Sequence, residues 1–417
     1  MFPQPSRRRF LTTMAAAAGV SAWPLDAAEK APPGDLPREL KPTAADLGTL
    51  FTEVEKLVRG RRYSYSFLGD RFRTLEDFKK SARDKVFELL LYRPEKVDPK
   101  AEVLAQIEYD GYTLEKIVFS TSPHFRVPAY VLIPKKATFP APAIIDLHSH
   151  GGMFLFGKEK VIDFGKNHPA MERYHQVNYD GRPTATALVR RGYVVISIDA
   201  FMFGERRVLM DADIPVGYDR SKYSLEEVHR LNQVCRAKEA TIVKSLILAG
   251  LSWPGIVIWD DMRTVDYLLT RREVDPKRIG CVGISMGGYR AMFLAGLDER
   301  IAAACVVGFM STVAPMIKAH VDTHSFVHFI PMLHQYLDWP DVVSMMAPKP
   351  LMVQQCSQDR LFPFDGMNDS LRRIEAVYEK AGVRKNFAGR FYDAPHMFSK
   401  TMQDDAFAWF DHHLKPK

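Results

Sequence analysis

The chain has little cysteine. There are four in 417 residues, Cys235, Cys281, Cys305 and Cys356, with no CxxC spacing among them. That excludes a disulfide-stapled scaffold and a cysteine-rich zinc module, and the four read as buried, strand-core thiols. Runs of five or more Lys/Arg are also missing. The formal charge of +7, from 57 basic and 50 acidic residues, is therefore spread thinly, and no nucleic-acid partner is expected. No apolar run approaches the roughly 20 residues that span a bilayer, so stable membrane insertion is not expected. What remains is 47% hydrophobic and 26% charged, an ordinary globular balance with room for one large α/β domain or two to three average ones.

The N-terminus reads as an address. Ser6-Arg7-Arg8-Arg9-Phe10-Leu11 precedes an apolar, alanine-rich run from Thr12 to Trp23, and Ala27-Ala28 closes it with small residues. A cationic head, a short apolar middle and a small-residue end are the parts of an export signal. The paired arginines before Phe-Leu are similar to a twin-arginine signal, which implies passage through the twin-arginine export machinery and a periplasmic or secreted protein. Residues 1–28 are assigned to this signal and 29–45, rich in Pro and charge, to a linker.

Residues 46–110 read as a helical extension. Leu47, Leu50, Phe51, Val54 and Leu57 recur at steps of three or four, and Phe78, Ala82, Val86 and Leu90 at steps of four. Both stretches are expected to cover an edge of the main domain. From 111 to 417 the pattern becomes strands alternating with helices. Tyr112–Ser120 and Arg126–Ile133 form an expected hairpin across a Ser-Pro-His turn. Short apolar runs follow at Ala143–Leu147, Val194–Ile198, Ile279–Ile284, Ala302–Val307, Leu351–Gln354 and Phe387–Tyr392. Such runs suit strands buried on both faces of a mostly parallel sheet, hence a three-layer α/β sandwich. In these sheets the working site lies at the carboxyl ends of the strands.

Four strand ends carry chemistry. Gly283-Ile284-Ser285-Met286-Gly287 follows a strand and opens a helix, as a serine nucleophile on a tight strand-to-helix turn requires. Leu147-His148-Ser149-His150-Gly151-Gly152 ends another strand. Its glycines let main-chain N–H groups approach a developing oxyanion, with Met286 as one donor and Gly152 or Met153 as the other. Asp359 and His396 follow the last two strands in the order Ser, Asp, His; the imidazole would accept the serine proton and the carboxylate would fix its tautomer. Asp365 and Asp393 are weaker stand-ins for the acid. A rival reading takes His148-x-His150 as the start of a metal site in a metal-dependent hydrolase.

These motifs resemble the α/β-hydrolase superfamily, and within it the branch of acetyl xylan esterase-like and dienelactone hydrolase-like proteins. The resemblance runs from about Tyr112 to Leu414. It rests on the 147–152 segment, Asp199 with Gly204-Glu205-Arg206, Trp259-Asp260-Asp261-Met262-Arg263, Val274-Asp275-Pro276, the 283–287 elbow, Tyr336-Leu337-Asp338-Trp339-Pro340 and Ala347-Pro348-Lys349-Pro350. It implies a serine hydrolase of carboxylic esters with Ser285 as nucleophile, Asp359 as acid and His396 as base, needing neither metal nor organic cofactor. The likeness favours a carbohydrate acetyl ester, or another small-molecule ester, as substrate. Dienelactone hydrolases proper use cysteine where this chain has Ser285. Met286 stands where relatives often carry a smaller residue, which would narrow the acyl side. A prolyl-oligopeptidase-like peptidase shares the elbow, but its propeller cannot fit in the residues before Tyr112.

His148, His150, Phe201 and Phe203 are placed as substrate contacts, with Phe154 and Phe156 as candidates for the same wall. Residues 203–251 read as a charged helical cap insert beside the site. His320, His324 and His328, at i, i+4 and i+8, would share one face of a helix and point to a structural or substrate-facing role more than to a metal. Asp199, Glu205, Arg206 and Arg207 read as a loop-bracing charge cluster.

Overall fold

A computed structural model describes residues 42–216 and 220–415. The expected signal, residues 1–28, and residues 29–41 of the linker lie outside the described residues. The chain from Thr43 onward forms one unit. Helices α1 (Phe51–Val58) and α2 (Leu75–Leu89) lead into β1 (Glu102–Tyr109), β2 (Tyr112–Ser120), β3 (Arg126–Pro134) and β4 (Ala141–Asp146). Helices α3 (Pro169–Tyr179) and α4 (Thr184–Arg190) precede β5 (Val194–Ile198). Helices α5 (Leu225–Leu248) and α6 (Trp253–Leu268) separate β5 from β6 (Val274–Ile284). Helix α7 (Met286–Leu297), β7 (Ile301–Val307), β8 (Leu351–Cys356), α8 (Phe364–Lys380), β9 (Phe387–Tyr392) and α9 (Lys400–Leu414) complete the frame.

The nine strands form one sheet in the order β1-β2-β3-β5-β4-β6-β7-β8-β9. The β1/β2, β2/β3 and β3/β5 pairs are antiparallel, and every pair from β5/β4 to β8/β9 is parallel. Strands β4, β5 and β8 are buried at every residue, as a sheet covered on both faces demands. Alternate residues serve opposite cores. Ile145, Cys281, Ala304 and Val353 pack with α2, α6, α7 and α8 on one face, whereas Ile144, Val282, Cys305 and Met352 pack with α3, α4 and α9 on the other. This is the three-layer α/β sandwich expected from the alternating pattern.

Three expectations need correction. The stretch 102–109, placed in the helical extension, is strand β1. It is an exposed edge strand, held by pairing with β2 and by Tyr109 stacked on Tyr112 at 4.9 Å, so it carries no buried run to betray it. Helix α2 packs on one face of the sheet through Phe78, Ala82 and Val86, with Arg83 bonded to the Gly296 carbonyl, but α1 buries no residue, and Leu50 and Leu57 face solvent. Of the four thiols, all free and buried, Cys235 sits on α5 instead of a strand. No single described helix is long and apolar enough to cross a membrane.

Candidate active site

The carboxyl ends of β4, β6, β7, β8 and β9 converge on one pocket of about 380 Å³. Ser285 sits between β6 and α7 at φ 60° and ψ −124°, a strained conformation for a residue with a side chain. Its N–H donates to the Val307 carbonyl at 3.0 Å, and its carbonyl accepts from the Tyr289 N–H at 2.9 Å. The turn is tight because strand and helix nearly touch behind it. A Cβ on Gly287 would stand 1.9 Å from the Leu147 carbonyl oxygen, which is why the sequence carries glycine there. Helix α7 is pinned by a fully buried, two-pronged ion pair from Arg290 to Asp261 on α6, at 2.5 and 2.9 Å.

His396, in the loop after β9, also lines this pocket. Its Nδ1 lies 2.6 Å from Oδ2 of Asp359, whose side chain is sealed from solvent just past β8. The other carboxylate oxygen accepts the Leu361 N–H at 2.8 Å. With Nδ1–H committed to Asp359, Nε2 presents a lone pair, and it is buried without a partner among the described residues. Asp393 instead receives Gln358, and Asp365 lies exposed on α8, so neither stand-in holds the imidazole.

The 147–153 loop forms the opposite rim, and here the structure departs from expectation. The Gly152 N–H is committed to Nδ1 of His150 at 3.0 Å, and the Met153 N–H to the His150 carbonyl at 3.1 Å. By contrast, the N–H groups of His150, Gly151 and, at the head of α7, Met286 find no acceptor among the described residues. Their direction has a cause. The buried Lys160 amine donates to the carbonyls of Ser149 at 2.7 Å and His150 at 3.0 Å. In a trans peptide the N–H points opposite its C=O, so Lys160 turns the N–H groups of His150 and Gly151 to the other side. Burial pushes the Lys160 pKa well down, yet either protonation state of the amine donates hydrogen bonds. Gly151 adopts φ 54°, and a Cβ there would collide with the Tyr174 hydroxyl at 2.2 Å.

The expected substrate contacts divide. His150 lines the pocket, but both nitrogens are engaged: Nδ1 accepts from Gly152, and Nε2–H donates to Glu239 of α5 at 3.1 Å. His148 is fully buried, with Nδ1–H on the Ser149 carbonyl and Nε2 accepting the Ala200 N–H at 3.1 Å. Burial holds its pKa well below the ordinary histidine value. With both lone pairs spent, the His148-x-His150 pair has none to give a metal, and the metal-site reading fails on its donor set. Phe203 is fully buried and stacked on Phe154 beneath His150, and Phe201 packs on Phe125, so neither lines the pocket. Its aromatic wall comes from Phe309, Phe326 and Phe362.

Glu159, Asp199 and Glu205 bring carboxylate oxygens close enough to hold a cation, but the cation there is Lys158. Its Nζ lies 2.6 Å from Asp199, 2.8 Å from Glu205 and 3.3 Å from Glu159. The cluster does brace the loop, with lysine at its centre, while Arg206 turns to Asp260 at 2.7 Å. The 203–251 insert supplies Arg236, Glu239 and Ala240 to the pocket from α5.

A strand-end pocket with a serine elbow, on a mostly parallel sheet, defines an α/β-hydrolase. Residues 49–401 match the model of the Abhydrolase family, and the chain belongs to that family. A Bacillus subtilis (strain 168) protein provisionally named as the hydrolase YtaP is 28% identical over 303 residues, covering 72% of this chain and 88% of the relative. Among solved structures, a Bacteroides fragilis NCTC 9343 protein provisionally named an acetyl xylan esterase superposes with a TM-score of 0.63 at 21% identity, over 82% of this chain and 81% of its own. A glucuronoyl esterase from Solibacter usitatus gives 0.58 at 13% identity, over 85% of this chain and 97% of its own. At these identities the structural likeness is one of fold. The chain is thus a hydrolase of α/β type, built like the esterases its motifs resemble.

Proposed function

We propose that the protein is an exported serine esterase that cleaves carboxylic esters, in particular acetyl esters of carbohydrates, through an acyl-enzyme. The observation that carries this reading is the unpartnered Nε2 of His396, held through Nδ1 by the sealed Asp359 carboxylate in the pocket that Ser285 also lines.

Ser285 attacks the ester carbonyl as His396 Nε2 takes its proton, and Asp359 holds the imidazolium that forms. The oxyanion is received by the Met286 N–H from the head of α7 and by the N–H groups of His150 and Gly151, in place of Gly152 and Met153. His396 then returns the proton to the departing alkoxide. Water, activated by the same imidazole, releases the acid. Export rests on the Arg7-Arg8-Arg9 head and the Thr12–Trp23 run. The carbohydrate assignment is supported by the names of the structural neighbours and by a pocket whose lining mixes polar and aromatic groups.

Replacing Ser285→Ala in the purified protein is expected to cut aryl acetate turnover by on the order of 10³-fold or more and to abolish labelling by a serine-directed phosphonate. Wild-type turnover in that variant would overturn the assignment. A panel of acetylated sugars, short-chain aryl esters, hexuronate esters and peptide amides separates the substrate classes.

A further inference from the structure

The segment between β7 and β8 does not form the helix that the i, i+4, i+8 spacing of His320, His324 and His328 suggested. Residues 320–328 pass through turns and one 3₁₀ turn, Phe326–His328. Even so, His324 and His328 both line the Ser285 pocket. The His328 ring is 5% exposed, packed against Tyr289 at 5.0 Å and Phe309 at 4.9 Å, and neither of its nitrogens has a hydrogen-bond partner among the described residues. His324 donates Nδ1–H to the His320 carbonyl at 2.6 Å, which leaves Nε2 as a bare acceptor, likewise buried and unpartnered.

Buried polar atoms in native proteins are nearly always paired, so three unpaired nitrogens on one pocket wall point to a ligand that pairs them. Burial holds both imidazoles neutral near pH 7: His324 is lowered to about 4, and His328 well below its ordinary value. The wall therefore offers the lone pair of His324 together with one lone pair and one N–H of His328. An alkyl group would leave all three unmet. A carboxylate would face two lone pairs. Hydroxyls both donate and accept, and two of them meet the whole set. The wall's position says which half of the ester carries them. His324 and His396 line the same pocket, and the His324 ring packs at 4.9 Å on Phe362, three residues beyond the Asp359 that holds His396. The alcohol must also depart beside His396, which protonates it.

We propose that His324 and His328 form a hydroxyl-recognising wall on the leaving-group side of the pocket, so that the preferred ester is one whose alcohol half is a polyhydroxylated ring. This rests on the serine-esterase reading and narrows it. The sugar is the alcohol that leaves, as in an acetylated pentoside, and is not the acyl half, as in a uronic acid ester.

The test compares wild type with His328→Phe, His328→Gln and His324→Phe, each full length. The substrates are a mono-acetylated methyl pentoside and cyclohexyl acetate, which shares the acyl group and ring size but has no hydroxyl. The expected result is a fall of about tenfold or more in the pentoside-to-cyclohexyl ratio of kcat/KM in both Phe variants, carried by KM, with His328→Gln recovering part of it. An unchanged ratio, or equal losses on both substrates, overturns the wall. If His328→Phe does not fold, the same ratio in His324→Phe decides. Wild-type preference for a hexuronate methyl ester over the acetylated pentoside also overturns it while leaving the esterase reading intact. A wild type inactive on every ester and unlabelled by phosphonate removes both.

Discussion

The Lys160 amine sits 2.7 Å from the Ser149 carbonyl and, among the described residues, has no carboxylate at ion-pair distance, and so it acts on the main chain of the 147–153 loop. Its work is geometric: by holding two carbonyls it sets the direction of the two N–H groups assigned to the oxyanion. Lys160→Met is therefore expected to lower kcat on an aryl acetate about 10–100-fold while KM moves little, because a misaimed donor is missed most in the transition state. Steady-state kinetics check this. A change confined to KM would remove Lys160 from the mechanism.

Asp359→Asn keeps the shape of the acid but lets an amide N–H face the His396 ring, favouring the wrong tautomer. Turnover is expected to fall by on the order of 10⁴-fold, with the melting temperature close to that of wild type. Kinetics and thermal melting on one preparation read both. Retention of more than about a tenth of the activity would point to another acid.

The Arg290–Asp261 pair lies wholly out of water behind the nucleophile turn. Asp261→Ala would strand a buried guanidinium and is expected to cost about 3–5 kcal/mol of unfolding free energy. Denaturant titration measures it, and a loss below about 1 kcal/mol would mean that the cation finds another partner.

His324 gives the stability an acid-side slope. Its folded pKa, lowered to about 4, lies below the ordinary value of 6.5 because burial and the neighbouring His396 and His320 oppose its charge, against the pull of Asp359 and the His320 carbonyl. Between those two values the unfolded chain binds a proton that the folded one refuses. Stability is therefore intact above about pH 6.5 and is lost as pH falls toward 4, by up to about 3 kcal/mol. Relative to wild type, His324→Gln is expected to gain that much over the same window in denaturant titrations at pH 7, 5.5 and 4. Parallel curves would show that the imidazole titrates normally.

Much of the frame was legible because its signals are local. The run Val194–Ile198 matches β5 residue for residue, since a strand buried on both faces is apolar nearly throughout, and Phe387–Tyr392 matches β9, an edge strand of which only Phe387 is buried. The residues expected past strand ends, Ser285, Asp359 and His396, stand there. Strand β1 was missed because an exposed edge strand is held by its neighbour and not by its own apolar face.

The sequence by itself determined the sheet, the serine turn and the order of the three side chains, because burial and tight turns constrain residues a few positions apart. Tertiary structure alone decided which groups are free to react. His148 and His150 look equivalent two residues apart, yet one is sealed behind Ala200 and the other opens onto the pocket bound to Glu239. The N–H of Gly152 is occupied and that of Gly151 is not, and the difference comes from Lys160 and from His150's own ring. Hydrogen bonds are claimed by whichever groups the folded chain brings within 3 Å, and spacing along the sequence does not record them.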